Sequence, residues 1–265
     1  MKTIRLALGA TKWPAVTSMI FVLAFSLLQC GSSKEYADPA QNLLATSVKA
    51  LGGEKKACNW TTRIDRGILT TERPGWGTLQ AKCTLTVQKP DKMKFDQDYS
   101  AYDHPFFYTF YYNEGDVWLN VNLGIRQHQR YTTLIENKMR RIDGPAYFLA
   151  ECDTFFLVTD IPDDSLITAS SIDRVGVVDG GDTVLFDIDK ETHLPVRRIQ
   201  DSGTTIVLLA DYRKVAGIKL PFKETVYQSG SLTSYQWDDI EFNMAIDETI
   251  FDEGRPPAVE EQETE

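Results

Sequence analysis

The chain has 265 residues and a net charge of −10 at pH 7, and no five basic residues occur in a row. The charge and the absence of a basic run argue against nucleic-acid binding. After removal of an N-terminal leader, the remaining length would suit one domain, since all-β domains of about 200–250 residues need not split. Its 13 Phe, 11 Tyr and 5 Trp residues are enough to line a core or an apolar cavity.

The N-terminus has the features of an export signal. Lys2, Arg5 and Lys12 form a positive leader, and residues 16–28 are 13 uncharged, mostly large apolar residues. This length is typical of the apolar region of a signal peptide and is short for a membrane span, which needs about 20 residues. We therefore predict that residues 1–29 are a signal peptide and that the remaining chain is exported.

The signal ends in Leu-Leu-Gln-Cys at residues 27–30, followed by small polar residues. This pattern resembles the lipobox of bacterial lipoproteins, which implies that Cys30 is diacylated and becomes the new N-terminus. Residues 30–37 would then be a lipidation site and polar tether, with the acyl chains as a strong membrane anchor. Gln29 departs from the lipobox pattern, which has Gly, Ala or Ser at that position. Plain signal cleavage beyond Cys30 and an uncleaved anchor helix are the alternatives.

The folded part begins with a predicted amphipathic helix. Asp38 followed by Pro39 is the pattern of an N-cap before a proline at the first helical position. Gly52 and Gly53 are expected to end this helix. Its apolar stripe, which must pack on another element, consists of Leu44, Val48 and Leu51.

The segment after this helix mostly has period two. Residues 76–89 alternate apolar and polar side chains, which indicates a half-buried antiparallel strand. Further strands are predicted at residues 93–98, 106–112 and 117–121. Residues 130–156 lack the alternation and are interpreted as one or two helices, broken near Gly144 and Pro145.

The C-terminal half returns to short strands separated by turns rich in Gly, Asn, Asp and Ser. About ten antiparallel strands in meander order must curl, because strand twist accumulates. The predicted fold is therefore mainly β (α+β), with a curled antiparallel sheet forming an incomplete β-barrel. An N-terminal helix and a central helical segment should cover its concave face and leave a ligand pocket. Strands are predicted at 172–178, 183–189, 195–200, 204–212, 217–228 and 232–242, and a disordered acidic tail at 254–265.

Five short motifs, in this order, resemble the outer-membrane lipoprotein-sorting or lipoprotein-carrier-like family. They lie at residues 51–53, 88–93, 113–118, 215–222 and 240–251. The resemblance implies a half-barrel domain over residues 38–253 that binds acyl chains of lipoproteins or other lipids. It implies no cofactor and no covalent chemistry. A protein anchored through Cys30 would receive, hold or hand over a lipid at one membrane, on the periplasmic face of the outer membrane.

The run of aromatic residues at 106–112 places rings on both faces of one strand. It is explained either by a central strand shielded on both sides or by a face that lines an acyl-chain cavity. Each buried methylene of a lipid chain contributes about 0.8 kcal/mol, so affinity needs no sharp polar motif. The predicted lipid-binding residues, each of which could also be simple core, are Leu79, Leu85, Phe110, Trp118, Phe186 and Leu208.

The cysteines and histidines in the sequence form no pattern typical of a metal site or a catalytic site. Cys58 and Cys83 are the favoured disulfide pair, because both are expected in the first two strands and export permits oxidation. Three independent thiols, with Cys152 as the third, are the alternative. No metal-ligand spacing, GxSxG or HExxH motif occurs, so we predict a non-enzymatic protein without cofactor or metal. A second hypothesis is a structural lipoprotein with a fully packed half-barrel and an envelope protein as its partner.

Overall fold

The computed structural model describes residues 36–75, 77–122, 124–127, 142–164 and 166–256. The chain divides into two units, Met1–Tyr36 and Ala37–Glu265. The fold given below is that of the second unit.

Among the described residues, three α-helices precede or interrupt the strands: α1 (Pro39–Leu51), α2 (Glu54–Cys58) and α3 (Pro145–Glu151). The carboxylate of Asp38 caps α1 and accepts a hydrogen bond from the backbone N–H of Ala40 at 2.7 Å. Gly52 ends the helix with a φ of 126°. A Cβ atom at this position would lie 2.5 Å from the carbonyl oxygen of Gly217, so only glycine allows this close approach. These observations confirm the predicted helix and both of its ends.

In the part of the chain that the structure describes, thirteen strands form one antiparallel sheet in the order β6-β5-β4-β3-β2-β1-β13-β12-β11-β10-β9-β8-β7. Two meanders, β1–β6 and β7–β13, are joined where β1 pairs with β13. The sheet ends at β6 and β7, which do not pair with each other in the described part of the chain. The strands are Thr62–Arg73, Gly77–Gln88, Lys92–Asp98, Phe107–Asn113, Asp116–Val121, Gly124–Gln127, Thr154–Val158, Ile172–Asp179, Asp182–Asp189, Pro195–Gln200, Thr205–Val215, Ile218–Gln228 and Ser231–Phe242, numbered β1 to β13.

This open antiparallel sheet with few helices confirms the predicted fold class. The central segment corrects one part of the prediction. Only Pro145–Glu151 of its described residues is α-helical, and the helix begins where a break was expected. Phe155 and Phe156, predicted to be helical, belong to β7. The short apolar run Thr-Phe-Phe-Leu-Val lacks the alternation that identifies a strand, and β8 supplies its pairing. Residues 130–141 of the predicted helical segment lie outside the described residues.

The helices pack on one face of the sheet, called the inner face below. Leu44, Val48 and Leu51 of α1 are buried, as the apolar stripe predicted. The helix contacts α3 and the strands β7, β8 and β12. The ring of Phe148 in α3 meets the ring of Phe186 in β9 edge-on, with 5.2 Å between centroids. Phe186 therefore marks the inner face.

The opposite, outer face is covered in part by the C-terminal segment of residues 248–255. Trp118 of β5 stacks on Tyr111 at 5.0 Å between ring centroids and donates its indole N–H to the carbonyl oxygen of Glu253 at 3.1 Å. Lys92 binds Glu248 at 2.8 Å. Arg255 pairs with Asp116, so the segment beyond Gly254, predicted to be disordered, is in contact with the sheet as far as this residue.

Candidate functional site

The strand register shows which side chains share the inner face. A row of directly paired residues starts at Phe186 of β9. It crosses β10, β11, β12, β13 and β1 in turn and ends at Leu79 of β2. Side chains two residues apart on one strand share a face. Leu85 is therefore also on the inner face, and it pairs through Phe95 of β3 with Phe110 of β4. Strands from both meanders thus contribute apolar side chains to one surface.

A group of aromatic side chains, the aromatic band, lies on this face and consists of Phe95, Phe110, Tyr235 and Trp237. The rings of Phe95 and Tyr235 are 6.1 Å apart, and those of Tyr235 and Trp237 stack at 5.5 Å. Trp237 is 4% exposed, whereas the other three are half-buried. The helices therefore leave part of the aromatic band accessible.

A charged group lies beside the aromatic band. Arg63 donates to both carboxylate oxygens of Asp65, at 2.7 and 2.6 Å, and both side chains are buried. Glu224 pairs directly with Tyr235 across β12 and β13 and is half-buried. Burial raises the pKa of Glu224, and the positive charges of Arg198 and Arg63 only partly oppose this effect. This group thus contains two arginines and two carboxylates, equal in number and opposite in the sign of their ionised charge.

Comparison with known proteins gives a match for the fold and none for the sequence. No protein-family model and no curated protein matches the sequence. A DUF1329 family protein from Desulfovibrio piger superimposes with a TM-score of 0.54 at 12% identity, covering 81% of this chain and 98% of that chain. A LolA superfamily protein from Nitrosomonas europaea gives a TM-score of 0.51 at 13% identity, with 81% and 98% covered. The chain has a LolA-like fold.

A further solved structure, an outer membrane lipoprotein-sorting protein domain from Vibrio parahaemolyticus, gives a TM-score of 0.49 at 11% identity, covering 79% of this chain and 97% of that chain. The family resemblance predicted from the five motifs is thus confirmed at the level of the fold, by the two structures with TM-scores above 0.5. At 12–13% identity, these two superpositions establish a common LolA-like architecture and assign no ligand.

The LolA-like sheet brings four of the six predicted lipid-binding residues together on the inner face: Leu79, Leu85, Phe110 and Phe186. Phe186 is 1% exposed and packs against α3, whereas the other three are half-buried.

Trp118 and Leu208, the other two predicted residues, lie on the outer face. Trp118 pairs with Tyr111, one position out of phase with Phe110, and is buried by the C-terminal segment. Leu208 pairs with Arg197, one position out of phase with the inner-face row. The sequence prediction also missed Phe95, Tyr235 and Trp237, although the alternation of β3 and β13 could have identified the first two.

The structure contradicts the predicted disulfide. Cys58, Cys83 and Cys152 are all free thiols. Cys58 ends α2 instead of lying in a strand, whereas Cys83 is in the middle of β2, packed with Leu69 and Trp237. Burial raises the pKa of Cys83 to about 12 and that of Cys58 to about 11. Both thiols are therefore poor nucleophiles near neutral pH.

Two features bear on the anchor and on metal chemistry. The predicted signal peptide and Cys30 lie outside the described residues. Within the described ranges, no α-helix has the length and apolar composition to span a membrane. Within the same ranges, no cluster of three His, Cys, Asp or Glu side chains could hold a metal ion.

Proposed function

We propose that the inner face binds acyl chains of a lipid or lipoprotein, without covalent chemistry, in envelope lipid or lipoprotein sorting or transfer. The observation that carries the proposal is the partly accessible aromatic band, next to half-buried Leu79 and Leu85, on the helix-covered face of a LolA-like fold. Rigid rings give an alkyl chain dispersion contacts while losing little conformational entropy. This site involves no catalytic residue, cofactor or metal.

The affinity should come from the number of buried methylenes. Lengthening a fatty acid from 12 to 16 carbons adds about four methylenes, or about 3 kcal/mol if all are buried, which corresponds to a Kd roughly two orders of magnitude lower. Partial burial gives a smaller but still steady gain. Glu224, which pairs directly with Tyr235 of the aromatic band, would be placed to contact the polar end of such a ligand.

Native mass spectrometry of the exported chain, starting at Gly31, tests this proposal. A co-purifying lipid mass, or uptake of fatty acids with a Kd that falls as the chain lengthens, supports acyl-chain binding. A clean apo mass together with no uptake of any fatty acid between 12 and 18 carbons would contradict it. That result would favour a packed half-barrel that acts through an envelope protein partner.

We also propose that the signal peptide directs export and that acylated Cys30 anchors the protein at the periplasmic face of the outer membrane. The pattern at residues 27–30 supports this proposal. Replacing Cys30 with serine should move the protein from the membrane fraction to the soluble periplasmic fraction. Replacing Gln29 with alanine, which restores the usual pattern, should keep it in the membrane. Membrane retention of the Cys30→Ser protein would contradict the anchor.

A further inference from the structure

Strand β7 forms one edge of the sheet. Among the described residues it pairs only with β8, in unbroken register from Thr154 opposite Val178 to Val158 opposite Arg174. Sheet edges are usually protected by a bulge, a proline, a charged side chain (especially lysine), or a covering helix or loop. The β7 sequence Thr-Phe-Phe-Leu-Val contains no proline and no charge, and its register shows no bulge. Within the described residues, the free backbone edge of β7 therefore has no bulge, proline or charge to keep a further strand away, although α1 contacts the strand.

Two large apolar side chains of β7 are exposed, one on each face of the edge. Phe156 is 38% exposed and Leu157 is 46% exposed. The ring of Phe156 lies directly over Gly176 of β8, because a Cβ atom at Gly176 would be only 2.2 Å from that ring. Exposed apolar side chains beside an open backbone edge are the elements of strand addition, in which main-chain hydrogen bonds supply affinity and alternate side chains supply specificity.

The charges around β7 define which strand could add to it. Glu151 and Asp153 precede the strand, Asp160 and Asp163 follow it, and all four are exposed. Residues 151–163 contain no lysine or arginine. The edge is thus an apolar strip with negative charge at both ends.

A second copy of the chain is a poor match for this edge. Antiparallel pairing of two β7 strands centred on Phe156 would bring Asp153 of one copy near Asp160 of the other. Like charges facing each other across strands are destabilising. The net charge of −10 on each chain adds a general repulsion.

We propose that β7 docks an extended segment of another protein, apolar in its centre and flanked by lysine or arginine, which joins the sheet as a further strand. This inference concerns the sheet edge and does not depend on acyl-chain binding to the inner face. The basic flanks would meet the acidic residues at both ends of β7, while the apolar centre would cover Phe156 and Leu157. Opposite charges at the rim of an interface speed association and exclude wrong partners.

A designed peptide tests the charge and backbone requirements of this edge. The probe is a fluorescently labelled decapeptide with two lysines at each end and a core of alternating valine and threonine, measured by anisotropy with the purified protein. We expect saturable binding that weakens as salt rises, because exposed charges are screened. Replacing the four lysines with glutamates should weaken binding at least tenfold, and a proline in the core should abolish it. Equal affinity for the lysine and glutamate peptides, or no binding of the lysine peptide, would overturn the proposal.

Two matched lysine substitutions locate the site. Leu157→Lys places a charge on the exposed edge and should weaken peptide binding at least tenfold. Phe107→Lys changes a side chain of similar exposure, 49%, on strand β4, which already has a neighbour on each side, and should leave binding unchanged. Thermal unfolding of both variants checks that each is folded. Equal binding by the two variants would refute β7 as the site. A dimer that Leu157→Lys dissociates, detected by sedimentation, would show instead that a second copy occupies the edge.

Discussion

Replacing Asp187 with asparagine removes a negative charge that lies between two buried guanidinium groups on the outer face. Asp187 accepts hydrogen bonds from Arg174 at 2.5 and 3.0 Å and from Nε of Arg197 at 2.5 Å. Asp187 is fully buried, and the two arginines are 8% and 2% exposed. Water therefore cannot replace the lost carboxylate.

Leaving a buried charge without its counter-ion costs about 3–5 kcal/mol of unfolding free energy. We expect about 3 kcal/mol for Asp187→Asn, because the amide oxygen still accepts one hydrogen bond and Asp164 still pairs with Arg197. With a urea slope of about 2 kcal/mol/M, the unfolding midpoint should fall by about 1.5 M.

The matched control is Asp239→Asn, since Asp239 and its partner Arg66 are 56% and 46% exposed at their side chains. This control should change the stability by less than about 1 kcal/mol. Urea unfolding followed by circular dichroism measures both variants. Equal midpoints for the two variants would refute the prediction that the buried ion pairs of Asp187 contribute more to stability than an exposed pair.

Three other predictions follow from close contacts and titrating groups. Gly176→Ala should destabilise the protein by no more than about 1 kcal/mol, because the added Cβ displaces a ring that is already 38% exposed and can turn into solvent, and a larger loss would contradict this. The hydrogen bond from Arg197 lowers the pKa of Asp164 to about 2, below its value in the unfolded chain. The stability from Asp164 is therefore complete above about pH 4 and is lost as the pH falls toward 2. Pepsin should accordingly cleave the loop that contains Asp164 faster at pH 2 than at pH 4, whereas in Asp164→Asn this pH difference should shrink to that of the protease itself. Cys58 and Cys83 should react slowly with a thiol reagent at pH 8 and rapidly in urea, and missing thiols in urea would indicate a disulfide after all.

Local signals in the sequence were sufficient for much of the fold. The cap at Asp38, the apolar stripe of α1 and the stop at Gly52 all involve residues within a few positions of one another. The strand at residues 76–89 was predictable for the same reason, since alternation is a property of one segment. The order of the strands as two meanders follows from the short turns between them.

Features that depend on distant partners could not be predicted in this way. β7 is a short apolar run, and only its pairing with β8 makes it a strand. Trp118 is buried on the outer face because the C-terminal segment around Glu253, far away in sequence, covers it there. Glu224 reaches the neighbourhood of Arg63 only because β1 pairs with β13. The charged part of the inner face is therefore a product of topology.

Identifying which face of the sheet binds an acyl chain tests the proposed function most directly. Leu79 and Leu208 are both half-buried leucines on strands of one sheet, but Leu79 is on the inner face and Leu208 on the outer face. Palmitate titrations of Leu79→Gln and Leu208→Gln, each checked for folding, compare the two faces. Acyl-chain binding on the inner face predicts that Leu79→Gln raises the Kd by about tenfold, or about 1.4 kcal/mol, while Leu208→Gln leaves it unchanged. An unchanged Kd for Leu79→Gln, or a larger loss for Leu208→Gln, would contradict it.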